Sequence, residues 1–199
     1  MNKWLFSGIT AALLMASACN SEGTLEEETE QDTSNENETE YETVLEEEER
    51  EEGTFSIYER FTDVTANADG PVEMTINQID VGMADLEGFV AATTGDETID
   101  YVEMMITIEN SSDESMYVPY GEASLKANTG EAVETASLVL SDDIEPHFEE
   151  GDTKEVRLLF PLESIQGVNK LTLTMNGPST DLGGDQLSEE IELSFKLAS

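Results

Sequence analysis

The chain carries one cysteine, one histidine and one tryptophan in 199 residues. A single cysteine excludes an intrachain disulfide and any structural zinc site built on two or more thiolates. A single histidine, His147, excludes a multi-histidine metal centre. Positive charge is equally scarce: 8 Lys and Arg stand against 46 Asp and Glu, a formal net charge of −38. That excess repels nucleic acid backbones and anionic membrane surfaces, so neither is expected as a partner. Long apolar runs are missing too. The most apolar stretch, residues 5–15, is too short to span a bilayer, which takes about 20 residues. The chain holds no Gly-x-Ser-x-Gly nucleophile elbow.

What stands at the start is an address label. Lys3 supplies a short positive region, the apolar stretch follows, and Ala16-Ser17-Ala18-Cys19 closes it. This is the layout of a secretory signal peptide over residues 1–18. The closing tetrad resembles a bacterial lipobox, although Ala16 stands where Leu is more usual. The resemblance implies cleavage between Ala18 and Cys19, lipidation of Cys19, and anchoring on the extracellular face of the cell membrane. The competing reading is an ordinary Ala-x-Ala cleavage site that releases a soluble protein.

Residues 19–52 read as the lipidated Cys19 followed by an acidic, disordered tether. Between positions 21 and 52 sit 16 acidic residues and one basic one, Arg50. Leu25, Tyr41, Val44 and Leu45 are the few apolar positions. Such a segment buries too little apolar surface to offset its ordering entropy, and its like charges extend it. Residues 46–52 could form a transient helix, opposed by like charges at i, i+4.

The remaining residues, 53–199, alternate with period two. Val72, Met74 and Ile76 alternate in one phase, Ile79 and Val81 in the other, which predicts a bulge near Asn77 and Gln78. Val102, Met104, Ile106 and Ile108 form one apolar face; so do Val156, Leu158 and Phe160; Leu171, Leu173 and Met175; and Ile191, Leu193, Phe195 and Leu197. Phe55 and Ile57 look like an opening strand. Shorter strands are expected around Met116 and Val118, Ala123 and Leu125, and over 133–140, with Pro119 and Pro161 as stops. Two spots, 83–90 and 162–165, have helical potential. Short strands separated by turn signals make the domain all-β, an antiparallel β-sandwich.

A family resemblance rests on Phe55-Ser56-Ile57-Tyr58, Gly70-Pro71 ahead of Val72, Ile106-Thr107-Ile108-Glu109-Asn110-Ser111, Asn128-Thr129-Gly130-Glu131, Leu140-Ser141-Asp142, Asn176-Gly177-Pro178 and Leu182-Gly183. In their order and spacing these resemble the immunoglobulin-like, telokin-like domain of unknown function in lipoproteins of Gram-positive bacteria. That group is related in fold to the immunoprotective extracellular antigen superfamily. The resemblance implies an immunoglobulin-like sandwich of about seven to nine strands and no assigned activity. In Met116-Tyr117-Val118-Pro119-Tyr120-Gly121 the chain departs from the family, which tends to place an acidic or amide residue after the proline.

Candidate chemistry is thin. His147 reads as an exposed loop residue. Asp142, Asp143 and Glu145, and Asp181 with Asp185, could gather around calcium, but neither matches the Asp-x-Asp/Asn-x-Asp/Asn-Gly loop and acidic clusters follow from composition. Paired carboxylates could hydrolyse a glycoside, yet the acidic background removes any signal. Tyr101, Tyr117, Tyr120, Phe89 and Phe148 could line a sugar or peptide site. The expectation is therefore a membrane-anchored, non-catalytic binding or interaction domain. It is expected to need no cofactor, catalytic residue or metal, to sit on the membrane through the lipid on Cys19, and to meet an extracellular or envelope partner. A structural or protective envelope protein is the alternative, and a hydrolase is less favoured. A binding domain should show one apolar or aromatic patch amid the acidic surface.

Overall fold

Fifteen residues of unbroken strand, Val72–Leu86, and thirteen more, Thr98–Asn110, form the spine of the protein. The structure is a computed structural model that describes residues 43–62, 64, 68 and 70–197. The expected signal segment 1–18, Cys19 and the tether as far as residue 42 lie outside the described residues. Eleven strands occur among the described residues, in chain order β1 (Glu46–Arg50), β2 (Gly53–Phe61), β3 (Val72–Leu86), β4 (Thr98–Asn110), β5 (Met116–Tyr117), β6 (Ser124–Ala127), β7 (Ala132–Val133), β8 (His147–Phe148), β9 (Thr153–Leu162), β10 (Lys170–Met175) and β11 (Ile191–Lys196). One short helix, α1 (Gly88–Thr94), joins β3 to β4.

The strands make a five-stranded sheet ordered β1-β2-β3-β4-β9, a four-stranded sheet ordered β11-β10-β6-β7, and a ribbon of β5 with β8. Every pairing is antiparallel, so the all-β reading holds. The alternation dictates the packing. Val102, Met104, Ile106 and Ile108 of β4 are fully buried together with Val156, Leu158 and Phe160 of β9. They share one core with Leu125 of β6, Leu171 and Leu173 of β10, and Leu193 and Phe195 of β11. At the expected bulge, Ile76 faces Ile106 while Gln78 faces Met105, which leaves Asn77 as the extra residue. Its side-chain amide donates to Thr107 Oγ1 at 2.8 Å. The bulge flips the phase, so Ile79 and Val81 rejoin the core that Met74 and Ile76 face.

The other face of the large sheet is also partly covered. Phe55, Ala84, Leu86, Ile99, Tyr101, Leu140 and Leu159 make a second, smaller core there. Phe55 and Tyr101 meet edge to face at 5.5 Å. Gly82 lies beneath the Tyr101 ring. A Cβ at Gly82 would lie 2.8 Å from the Tyr101 hydroxyl and 2.3 Å from the Ser56 carbonyl oxygen. Only a residue without a side chain lets the two strands and the ring approach so closely.

Five expectations need correction. The fold does not begin at position 53. Glu46–Arg50 is an edge strand in register with β2, from Glu46 opposite Ile57 to Arg50 opposite Gly53. The end of the acidic segment therefore belongs to the sheet rather than to a tether. Residues 83–86 are not helical, because β3 is hydrogen-bonded to β2 on one side and β4 on the other as far as Leu86; the helix starts only at Gly88. Residues 163–165 are not helical either, and Pro161 does not stop β9, which continues to Leu162. β9 is the last strand of its sheet, where a proline costs no ladder hydrogen bond. Residues 133–140 do not form one strand: β7 is Ala132–Val133, and a turn follows over 138–140.

Candidate functional site

Two features stand out on the outside of this scaffold, a charge network and a groove. The network lies on the outer face of the large sheet and uses every arginine of the chain. In β1 the period-two rule puts Glu46, Glu48 and Arg50 on one side. Arg50 reaches across the sheet to Glu103 of β4, with Nη1 and Nη2 donating to its two carboxylate oxygens at 2.6 and 3.0 Å. The same guanidinium donates to Glu48 at 2.7 and 3.1 Å and stacks 4.2 Å above the centre of the Phe55 ring. Arg60 holds Asp80 through two bonds of 2.8 and 2.9 Å. It also reaches Glu46 at 2.6 Å and Glu48 at 3.2 Å. Arg157 approaches Asp142 at 3.5 Å and Glu103 at 4.0 Å.

These contacts explain why four consecutive glutamates, poor strand formers, lie in a strand. Two of them, Glu46 and Glu48, meet guanidinium groups from other strands, and the other two face solvent. The Arg50 hydrogen bond holds the Glu48 carboxyl below the usual glutamate range. Asp80 and Glu103 are buried charges, 1% and 4% exposed, and buried charge is tolerated because it is paired and hydrogen-bonded. Beside them the Tyr101 hydroxyl is buried without a hydrogen-bond partner among the described residues. Burial first, and the negative charge of Glu103 second, raise its pKa well above the ordinary tyrosine value. Glu46, Glu48, Asp80 and Glu103 are each held by a guanidinium from Arg50 or Arg60, which ties β1 to β2, β3 and β4.

The groove is different. It encloses about 440 Å³ between β5, the 137–143 turn and the β8 approach. Tyr117, Pro119, Tyr120, Leu138, Ile144 and Pro146 supply its apolar and aromatic lining. Tyr117 is positioned by the β5–β8 ribbon and by paired backbone bonds with Ser179 at 2.8 and 2.9 Å. Pro119 ends the ribbon and starts a single 3₁₀ turn, Tyr120–Glu122. That turn sinks Tyr120, whose hydroxyl donates to the carbonyl of Ile144. Burial pushes the Tyr120 phenol up, and the nearby Asp143 and Asp142 carboxylates add to the shift against the lowering effect of its bond to Ile144. Glu122, Asp142 and Asp143 supply the charged part of the lining, and among the described residues no basic one lines the groove. Leu138 stands at the turn 85% exposed.

Of the five aromatic candidates, the structure brings Tyr117 and Tyr120 together and separates the rest. Tyr101 sits in the smaller core and Phe148 in the main one, with Lys154 Nζ 4.3 Å above its ring. Phe89 is 77% exposed on α1, in a second cleft of about 370 Å³ with Val90 and Val139. His147 is half-buried in β8 rather than in a loop, 3.5 Å from Glu149. The two acidic clusters weighed for calcium make the following hydrogen bonds. Asp142 accepts the Arg157 backbone N–H at 3.0 Å. In the other, the Asp181 carbonyl accepts the Gly184 N–H at 2.9 Å and the Asp185 carbonyl accepts the Thr180 N–H at 3.0 Å, a closed turn. Among the described residues no group of three or more His, Cys, Asp or Glu is placed to hold a metal ion. Cys19 and Ala18, the expected lipidation and cleavage positions, lie outside the described residues. Among those residues no helix is long and apolar enough to cross a membrane.

Sequence reasoning missed Leu138, because alternation placed it inside a strand, and missed Arg50, because composition placed it in a tether. Tyr117 and Tyr120, on either side of Pro119, were among the aromatic candidates legible in the sequence.

No family model matches the chain, and no curated protein does. Among solved structures the chain is similar to a functionally unknown protein from Listeria monocytogenes EGD-e, with a TM-score of 0.54 at 16% identity, covering 73% of this chain and 89% of that one. A conserved hypothetical protein from Bacillus anthracis aligns with a TM-score of 0.41 at 9% identity, over 58% of this chain and 89% of that one. The first likeness bears on the fold alone.

Proposed function

We propose that the protein is a membrane-anchored extracellular lipoprotein whose immunoglobulin-like β-sandwich is a non-catalytic binding module, with the Tyr117–Tyr120–Leu138 groove as its contact surface. One observation carries the binding reading: an aromatic and apolar groove opens in a surface otherwise dominated by carboxylates. A large apolar side chain left in water beside two tyrosines is the pattern of an interaction site. A purely protective envelope domain gives no reason to leave Leu138 exposed. The lipoprotein reading rests on Cys19, the chain's single cysteine, standing directly after Ala16-Ser17-Ala18. The immunoglobulin-like assignment rests on the resemblance of the strand and turn motifs, and two antiparallel sheets around one core support it.

Cross-linking on intact cells tests the groove. Wild-type chain should give a discrete adduct that Leu138→Asp and Tyr117→Ala both lose while keeping the wild-type melting temperature. Adducts recovered equally from both variants would refute the site. For the anchor, mass spectrometry of the mature amino terminus should find a diacylglyceryl group on Cys19. Cys19→Ser should shift the protein from the membrane fraction to the medium. A free thiol on Cys19 would end the lipoprotein reading.

A further inference from the structure

The groove and the Phe89 cleft adjoin the same short turn. Leu138 lines the first and Val139, the next residue, lines the second. Around both, every charged lining residue is acidic: Glu122, Asp142 and Asp143 at one, Glu51, Glu52 and Glu87 at the other. Leu138 and Phe89 are among the most exposed large apolar side chains of the described residues. Resting on the binding reading above, we infer that this double cleft docks a cationic polypeptide segment, one that places apolar side chains in the two clefts and Lys or Arg against the acidic rims.

The occupant follows from charge and extent. A second copy of this chain carries the same charge of −38 and is repelled. An anionic lipid surface is repelled for the same reason. A small ligand fills a single cavity of about 300–1,000 Å³, whereas two clefts on either side of one turn present separate apolar contacts. A chain in extended form spaces same-side side chains by about 6.6 Å, so apolar and basic residues taking turns at every second position can serve both clefts and both rims. Unpaired carboxylates strengthen the case. Among the described residues Asp143, Glu122 and Glu87 make no side-chain hydrogen bond or ion pair, so a cation there displaces no internal partner. Such complementarity chiefly raises the association rate and selects the sign of the partner.

The test uses the full chain and three synthetic peptides of about twelve residues, some 40 Å extended. With Ser at every other position, the remaining positions carry Lys and Leu by turns in the first, Lys and Ser in the second, and Glu and Leu in the third. Titration calorimetry at about 0.15 M NaCl, where diffuse charge attraction is screened beyond about 8 Å, should show the Lys/Leu peptide binding at least about tenfold more tightly than either control. Leu138→Ser and Phe89→Ser should each weaken it several-fold, and Asp143→Asn should weaken it less. Glu192→Gln, on β11, should leave it unchanged. If Lys/Ser binds as well as Lys/Leu and no variant matters, the attraction is diffuse charge and the inference fails. If Glu/Leu binds as tightly as Lys/Leu and both are lost in Leu138→Ser, the groove reading survives and the cationic partner does not. Lys/Leu binding that ignores both Leu138→Ser and Phe89→Ser overturns both. Full competition by hexyltrimethylammonium would reassign the groove to a small organic cation and overturn the polypeptide.

Discussion

Replacing Arg50 by Met should cost more stability than any surface charge change, although sequence places Arg50 in an acidic linker. The guanidinium side chain is 13% exposed and Glu103 is 4% exposed, joined by two bonds of 2.6 and 3.0 Å. Met keeps an unbranched apolar stem but removes the guanidinium, and with it the charge, its hydrogen bonds and its stacking on Phe55. What remains is a buried Glu103 carboxylate whose next cation, Arg157, stands 4.0 Å away. Breaking a buried pair from one side costs about 3–5 kcal/mol, because an uncompensated charge stays in the interior. With Arg157 as a weak substitute and Glu48 still held by Arg60, the expected loss is at the low end, about 3 kcal/mol. For a domain of this size that is a fall of about 6–12 °C in melting temperature. Urea unfolding at pH 7, read as a shift in midpoint at constant m, measures it. Arg50→Met combined with Glu103→Leu should recover most of the loss, since a buried pair replaced by apolar groups is often neutral. A loss under about 1 kcal/mol for Arg50→Met would mean the pair behaves as an exposed one, and the claim that β1 is pinned to the fold would be abandoned.

Three further outcomes are expected. Ile106→Ala, in the main core, should cost about 2–5 kcal/mol and Thr107→Ala, on the opposite face, much less; equal costs by chemical denaturation would contradict the register of β4. Acid should release β1 early. Glu48 has its carboxyl held below the usual range by Arg50, so its stabilising effect is complete above the ordinary glutamate range and is lost as pH falls through its folded value. Glu59, raised by burial, acts in the opposite sense, its ionisation costing stability as pH rises past the ordinary range. Hydrogen exchange should therefore show β1 amides opening on acidification before those of β3 and β4, and simultaneous opening would refute the order. Finally, residues 53–199 hold 30 acidic and 6 basic residues, so their self-repulsion should make the melting temperature rise with NaCl. The rise should be steepest below about 0.1 M, where the Debye length exceeds about 10 Å. A melting temperature flat in salt would show that the carboxylates are spread too far apart to repel.

The sequence by itself determined which residues go inside. Period-two alternation is a local property, so Val102, Met104, Ile106 and Ile108, and the matching sets of β9, β10 and β11, could be assigned to one face without knowing their partners. The change of phase between Ile76 and Ile79 likewise announced the bulge at Asn77. Tertiary structure decided everything that depends on a neighbour distant in the chain. A run of four glutamates becomes a strand only where Arg60 meets Glu46 and Glu48, and Arg50 becomes structural only because Glu103 lies 53 residues away in sequence. A proline ends a strand in the middle of a sheet, but Pro161 does not end β9, which lies at the edge. Leu138, one apolar residue among several in 133–140, is 85% exposed at a turn while Leu140 of the same turn is buried in the smaller core. Pairing energy, edge position and the meeting of two clefts at one turn are properties of contacts made in space, and no local pattern encodes them.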